Sequence, residues 1–234
     1  MPAGSVAVLL FSLSSTQEAR RKSMTGSVVR DQRVWQSLER LTFAKIRSAG
    51  LPGFISHKIS AHLSGTFGEQ LQQAAKAVLD LGYDSVICIG NDCPALRPAD
   101  LTEAAGLLQS GSIPIGTDKR GGVYLTGFNR ASLTSEAALI DLSWQTATLA
   151  TDLIGYLRER GQQTALLSAS HADWNVLADT QLSQATGLRT WLYQLAEALC
   201  PATIGSPPVH TSTPYQRSIA PSGLRAPPVV VTGC

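Results

Sequence analysis

The sequence predicts an α/β protein, a single domain built on a mainly parallel sheet with helices on both faces. Three observations predict it. Apolar runs of strand length alternate with stretches of helical period over roughly 200 residues, the order of repeated strand–helix units. The runs Ser5–Phe11 and Ser85–Ile89 are nearly continuous in apolar character rather than alternating, as in strands covered on both sides. Gly50 with Pro52, Gly82 and Gly161 stop the helical stretches, as helix-terminating residues do.

Element by element, Ser5–Phe11 reads as a buried first strand and "SLSSTQEARRKSMTG" as a polar, basic loop. Val34, Leu38, Leu41 and Ile46 carry helical spacing up to Gly50. "GFISHKIS" is a weaker second strand. Thr66–Leu81 is an amphipathic helix whose Phe67, Leu71, Ala74, Ala75, Val78 and Leu79 share one face. The strand Ser85–Ile89 and a helix over Pro98–Gln109 follow. "IPIG" and "VYLTGF" read as two strands joined by "TDKRGG". Thr146–Arg160 is a helix, Thr164–Leu167 a strand and Ser183–Leu199 a last helix. From Pro201 the chain holds seven of its twelve prolines and no acid. Such a segment buries too little apolar surface to offset its ordering entropy, and 201–234 reads as a proline-rich disordered tail beyond a domain of residues 1–200.

Composition sets limits on partners. A net charge of +2 gives no electrostatic case for nucleic acid or a membrane surface. No stretch reaches the ~18 apolar residues of a spanning helix, and "VAVLLF" near the start lacks the basic flank of a signal peptide. The four cysteines, Cys88, Cys93, Cys200 and Cys234, form no CxxC pair. That pattern suits a reducing cytoplasm better than a disulfide framework or zinc site.

The chemistry gathers in three places. In "DSVICIGNDCPALRPADL" an apolar strand ends at Gly90 in Asn91, Asp92, Cys93 and Pro94. Open α/β sheets bind ligands beyond the carboxyl ends of their strands. A carboxylate there can hold a divalent cation shared with a nucleotide diphosphate; equally, Asp92 can cap the turn or the next helix. In "GTDKRGGVYLTG" the pair Gly121 and Gly122 permits positive φ and close backbone approach by a ligand, with Arg120 beside it. A plain hairpin turn with solvated charges fits equally. Arg20, Arg21 and Lys22 in the first loop can meet phosphates, or form a solvated face.

In this order, "VICIGNDCPALRPADL", "PIGTDKRGGVYLTGF", "LSWQTATLATDLIGYLRERG" and "HADWNVLADTQL" resemble a bacterial family. It is the glycosyltransferase A-type, nucleotide-diphospho-sugar-transferase-like family, whose members include arsenosugar-biosynthesis-type glycosyltransferases. The similarity spans about residues 5–195. It implies a glycosyltransferase A-like fold and transfer of a sugar from a nucleotide-diphospho-sugar to a small-molecule acceptor. It further implies that Asp92 helps hold Mg²⁺ or Mn²⁺ against the donor diphosphate, and that Asp92 and Asp173 are the catalytic acids. Gly121, Gly122 and Tyr124 match positions lining the acceptor side; Trp144 and Thr146 match a turn before a helix.

The chain departs from the family pattern in three places. Arg120 stands where an acid usually precedes the glycines, the late motif has Asn175 for a second acid, and the first loop lacks the usual Lys-Thr-Arg phosphate sequence. Four functions stay open: a glycosyltransferase, a nucleotidyltransferase of the same fold, a relative that binds a nucleotide or sugar without turnover, and a structural or interaction protein.

Overall fold

A computed structural model describes residues 4–60, 63–133 and 139–171. Asp173, the expected helix Ser183–Leu199 and the proline-rich tail lie outside the described residues. Six strands form one sheet: β1 (Val6–Leu10), β2 (Gly53–Ile55), β3 (Ser85–Ile89), β4 (Ser112–Thr117), β5 (Val123–Asn129) and β6 (Gln163–Leu166), in the order β2-β1-β3-β5-β4-β6. β1 pairs in parallel with β2 and β3, and β4 with β6. β5 runs antiparallel to both β3 and β4. The sheet is thus mixed and mostly parallel, with one reversed strand.

Every residue of β1 and β3 is buried, which requires cover on both faces of the central strands. The helices α2 (Val28–Ser48) and α5 (Pro98–Gln109) touch each other and the sheet, while α4 (Phe67–Asp80) packs on β1 and β3. Of the apolar face expected of α4, Leu71, Ala74, Ala75, Val78 and Leu79 are buried and Phe67 is partly buried. Burying each Leu or Val of this core contributes about 1.5–3 kcal/mol.

Two local expectations change. The basic first loop contains a helix, α1 (Ser15–Arg21): the Gln17 side chain reaches back to the Ser14 N–H at 3.2 Å and hydroxyl at 2.9 Å, closing its first turn. "GFISHKIS" is a strand only over Gly53–Ile55. Ser56–Ile59 then turns into a short helix, α3, because the Ser56 hydroxyl leaves the strand path to donate to the Ser12 carbonyl at 2.8 Å. The last described helix, α6, spans Leu149–Glu159. Among the described residues no helix is long and apolar enough to cross a membrane.

Candidate ligand-binding cleft

From β1 the chain moves outward to β2 on one side, then returns past β1 to β3 on the other. This reversal leaves a crevice at the carboxyl ends of β1 and β3, the place where open sheets take ligands. A cleft of about 850 Å³ opens there. Three segments meet in it: Phe11, Ser12 and Leu13 after β1, Gly90, Asn91 and Asp92 after β3, and the β4–β5 hairpin with Asp118, Arg120 and Gly122.

Its charged centre is an ion pair. Lys22, just past α1, places Nζ 2.5 Å from Asp92 Oδ2 with both side chains partly buried. The Trp35 ring lies 5.7 Å from the same ammonium, and Trp35 Nε1 donates to the Lys22 carbonyl at 3.2 Å. Glu18, one helical turn before Lys22, also lines the cleft and is 6% exposed. Burial pushes the Glu18 carboxyl above its ordinary range, against the pull of the Lys22 charge and a hydrogen bond from the Leu13 N–H. A carboxyl so shifted inside a cleft is a candidate functional group.

Among the described residues Asp92 caps neither turn nor helix. The start of α5 is closed by Asp100, whose Oδ2 accepts the Arg97 N–H at 2.8 Å. Lys45 steadies the turn after β3 by donating to the Pro94 carbonyl at 2.6 Å. Cys93 is buried in the core, where it packs.

Two polar residues of the cleft are nearly covered, Asn91 at 4% exposed and Ser12 at 7%. Among the described residues the Ser12 hydroxyl is buried without a hydrogen-bond partner. Leaving a buried polar group unpaired costs about 1–3 kcal/mol, and a ligand that pairs it recovers that.

The hairpin is a built turn. Asp118 Oδ1 accepts the N–H groups of Arg120 at 2.8 Å and Gly122 at 2.7 Å. Arg120 lines the cleft, with its side chain about half exposed and Nε 3.6 Å from Asp118 Oδ2. Gly121 adopts φ +87° and lies beside the lining rather than in it. Tyr124 lines the floor and donates its hydroxyl to the Ala169 carbonyl at 2.8 Å.

An aromatic wall also lines the cleft. Phe11 meets Phe67 edge-on at 5.2 Å, and Phe67 meets Trp144 at 5.4 Å. Trp144 is fixed by donation of Nε1 to the Leu139 carbonyl at 2.9 Å.

The cleft thus gathers Asn91, Asp92, Arg21, Lys22, Arg120, Gly122, Tyr124 and Trp144 from the expected residues. Arg20 is exposed and outside its lining. Glu18, Ser12 and Phe67 were not expected there.

Comparison with known proteins bears on the fold. A model for the family described as "Uncharacterized protein conserved in bacteria (DUF2064)" matches residues 37–146. No curated protein matches. Among solved structures, one from Desulfovibrio desulfuricans G20, provisionally described as a nucleotide-diphospho-sugar transferase, superposes with a TM-score of 0.66 at 16% identity. The match covers 82% of this chain and 97% of that one. A nucleotidyl transferase from Methanothermobacter is less similar, with a TM-score of 0.47 at 17% identity over 80% of this chain and 98% of that one. Glucosyl-3-phosphoglycerate synthase from Mycobacterium tuberculosis, solved with Mn²⁺ and UDP, gives 0.42 at 14% identity over 86% and 83%. The first of these carries the likeness: in fold the chain resembles the nucleotide-diphospho-sugar-transferase-like proteins to which its motif order points.

Proposed function

We propose that the cleft binds a nucleotide diphosphate or nucleotide-diphospho-sugar, and that the protein transfers the sugar to a small-molecule acceptor in the cytoplasm. The observation that supports this reading is the convergence, at the switch point between β1 and β3, of Asn91 and the unpartnered Ser12 hydroxyl with the Lys22–Asp92 pair. An anion entering there meets the charges of Lys22 and Arg21 while its polar groups reach Asn91 and satisfy Ser12. The aromatic wall offers a flat apolar surface to a base or sugar ring. Chemistry in such a site is electrostatic: fixed cations stabilise the charge that develops on the leaving diphosphate. Asp92 acts by holding Lys22 in place, and Asp173 is proposed as the second catalytic acid.

Binding without turnover is the second reading. It is favoured by Asp118, the acid nearest the glycine pair, whose carboxylate is engaged by backbone N–H groups of its own turn.

A thermal-shift panel of nucleoside diphosphates and nucleotide sugars tests binding, since a ligand at about 100 times its Kd adds about 2.7 kcal/mol of stability. Release of the nucleoside diphosphate from the sugar donor, followed by chromatography with candidate acceptors, separates the two readings. No shift with any member of the panel would overturn both.

A further inference from the structure

Resting on the nucleotide-diphosphate reading of the cleft, we propose that Lys22, seated on Asp92, is the resident counter-ion for the diphosphate and stands where a bound divalent cation would need to sit. The protein then binds a nucleoside diphosphate without Mg²⁺ or Mn²⁺.

The donor set argues against a resident dication. Mg²⁺ is held through carboxylates and waters in near-octahedral oxygen geometry. Among the described residues three carboxylates line the cleft, those of Glu18, Asp92 and Asp118. Asp92 Oδ2 already carries the Lys22 ammonium at 2.5 Å. Asp118 is engaged by the N–H groups of Arg120 and Gly122. Glu18 is buried and accepts the Leu13 N–H. Among the described residues no three His, Cys, Asp or Glu side chains come together to hold a metal. A dication placed on Asp92 would also have to displace the ammonium and would repel it at close range. The described residues therefore do not fit a resident Mg²⁺ or Mn²⁺.

Lys22 is instead built into the site. Fully buried Trp35 holds it from below through both its carbonyl and its charge. The loop that follows is tied down by Asp31, itself fully buried, which accepts the N–H groups of Met24 at 3.1 Å and Thr25 at 2.7 Å and the Ser23 hydroxyl at 2.9 Å. A lysine fixed in this way avoids much of the rotamer entropy that ordering a surface lysine costs. An ammonium is a compact point charge able to serve several oxygens, and Arg21 on the same wall offers a planar fork to a second phosphate.

The test is isothermal titration calorimetry of the full chain with UDP, GDP, CDP and ADP, each in EDTA and in Mg²⁺ or Mn²⁺. For whichever nucleotide binds, the parent is expected to hold it in EDTA within about tenfold of its Kd with the ion, a difference of at most about 1.4 kcal/mol. Lys22→Met is expected to weaken binding in EDTA by about tenfold or more, the order of a charge-assisted hydrogen bond. Lys22→Arg, which keeps the charge, should still bind in EDTA. The proposal is overturned if the parent loses more than tenfold on removing the ion, or if Lys22→Met binds in EDTA as the parent does. Should Lys22→Met fail to fold, the comparison on the parent decides. Binding that appears only with the ion fails this proposal and leaves the nucleotide reading standing; no binding under either condition fails both.

Discussion

Gly68 lies directly beneath the indole of Trp144: a Cβ on Gly68 would fall 2.5 Å from Nε1 and 2.9 Å from the Ile140 carbonyl oxygen. The contact explains a glycine in the first turn of α4, where alanine would favour the helix by up to about 1 kcal/mol. Closing that gap requires the tryptophan to leave the wall it forms with Phe67 and Phe11. Gly68→Ala is therefore expected to destabilise the protein by about 1–3 kcal/mol, as overpacking does, despite the better helix former. Urea denaturation checks the sign, and a gain in stability would show that the indole moves aside freely.

Glu18 ties stability to pH. Its folded carboxyl titrates above its unfolded value because burial, the largest influence, outweighs the Lys22 charge and the hydrogen bond from Leu13. A raised acid favours the folded state below the unfolded pKa, and that contribution is lost as pH rises through the folded one. At neutral pH the buried carboxylate thus opposes folding. Glu18→Gln keeps an oxygen for the Leu13 N–H and removes the charge. It is expected to melt higher than the parent at pH 7, with the gap narrowing towards pH 4. Equal melting temperatures at both pH values would contradict the shift.

Much of this arrangement is legible in sequence. The strand Ser85–Ile89 and the helix Pro98–Gln109 stand at their expected positions, since a five-residue apolar run and a Pro at the first helical turn are unambiguous local signals. The turn Asn91–Asp92 and the hairpin at Gly122 were visible as polar groups at strand ends. The partner of Asp92 was not, because nothing local links it to a residue 70 positions away. A signal did exist: Ser14 followed by Gln17 starts a helix. That helix ends at Arg21, and the Lys22 N–H closes its last turn on the Glu18 carbonyl at 2.8 Å. The reversal of β5 had no signature of its own. It follows from the tight β4–β5 turn, which only antiparallel neighbours can share.

Asp92 and Asp100 sit eight residues apart and are expected to respond oppositely to the same substitution. Asp92 is an ion-pair partner at the cleft, so Asp92→Asn should leave the melting temperature within a few degrees of the parent while weakening nucleotide diphosphate binding. Loss of stability with binding unchanged would instead make Asp92 structural.

Asp100 is fully buried and receives Arg97 Nη2 at 2.6 Å and the Arg97 N–H, with His171 Nε2 2.8 Å away. Asp100→Asn should cost about 3 kcal/mol, the order for a buried, multiply bonded charge. Burial alone would raise the Asp100 carboxyl, but the Arg97 and His171 contacts together carry it below its ordinary value. A lowered acid stabilises the fold above its unfolded pKa, near about 4, and that stability is lost as pH falls through the folded value. The difference between parent and Asp100→Asn should accordingly be constant above about pH 5 and shrink in acid. Denaturant midpoints from pH 7 down to pH 2 measure it, and a difference unchanged across that range would rule out the linkage.

The two adjacent glycines of the hairpin are expected to differ in kind. Gly121 has φ +87°, which L side chains rarely adopt, and a Cβ there would overlap the Ala147 carbonyl oxygen. Its own carbonyl accepts the Ala150 N–H at 3.1 Å at the start of α6, so the hairpin and that helix are joined at this residue. Neither the backbone nor the fixed carbonyl can give way cheaply, and Gly121→Ala should cost about 2 kcal/mol or more. Gly122 has no such torsion. A Cβ there would stand 3.1–3.3 Å from the Asp118 carboxylate, a side chain able to shift by a few tenths of an ångström, and Gly122→Ala should cost about 1 kcal/mol or less. Because Gly122 faces the cleft, its added methyl should nevertheless reduce ligand affinity. Gly121→Ala in turn should loosen the Thr146–Leu149 side of the cleft by unseating α6. Parallel urea titrations and nucleotide binding on the two variants separate these effects. A Gly121→Ala protein as stable as the parent would mean that this joint does not hold the hairpin against α6.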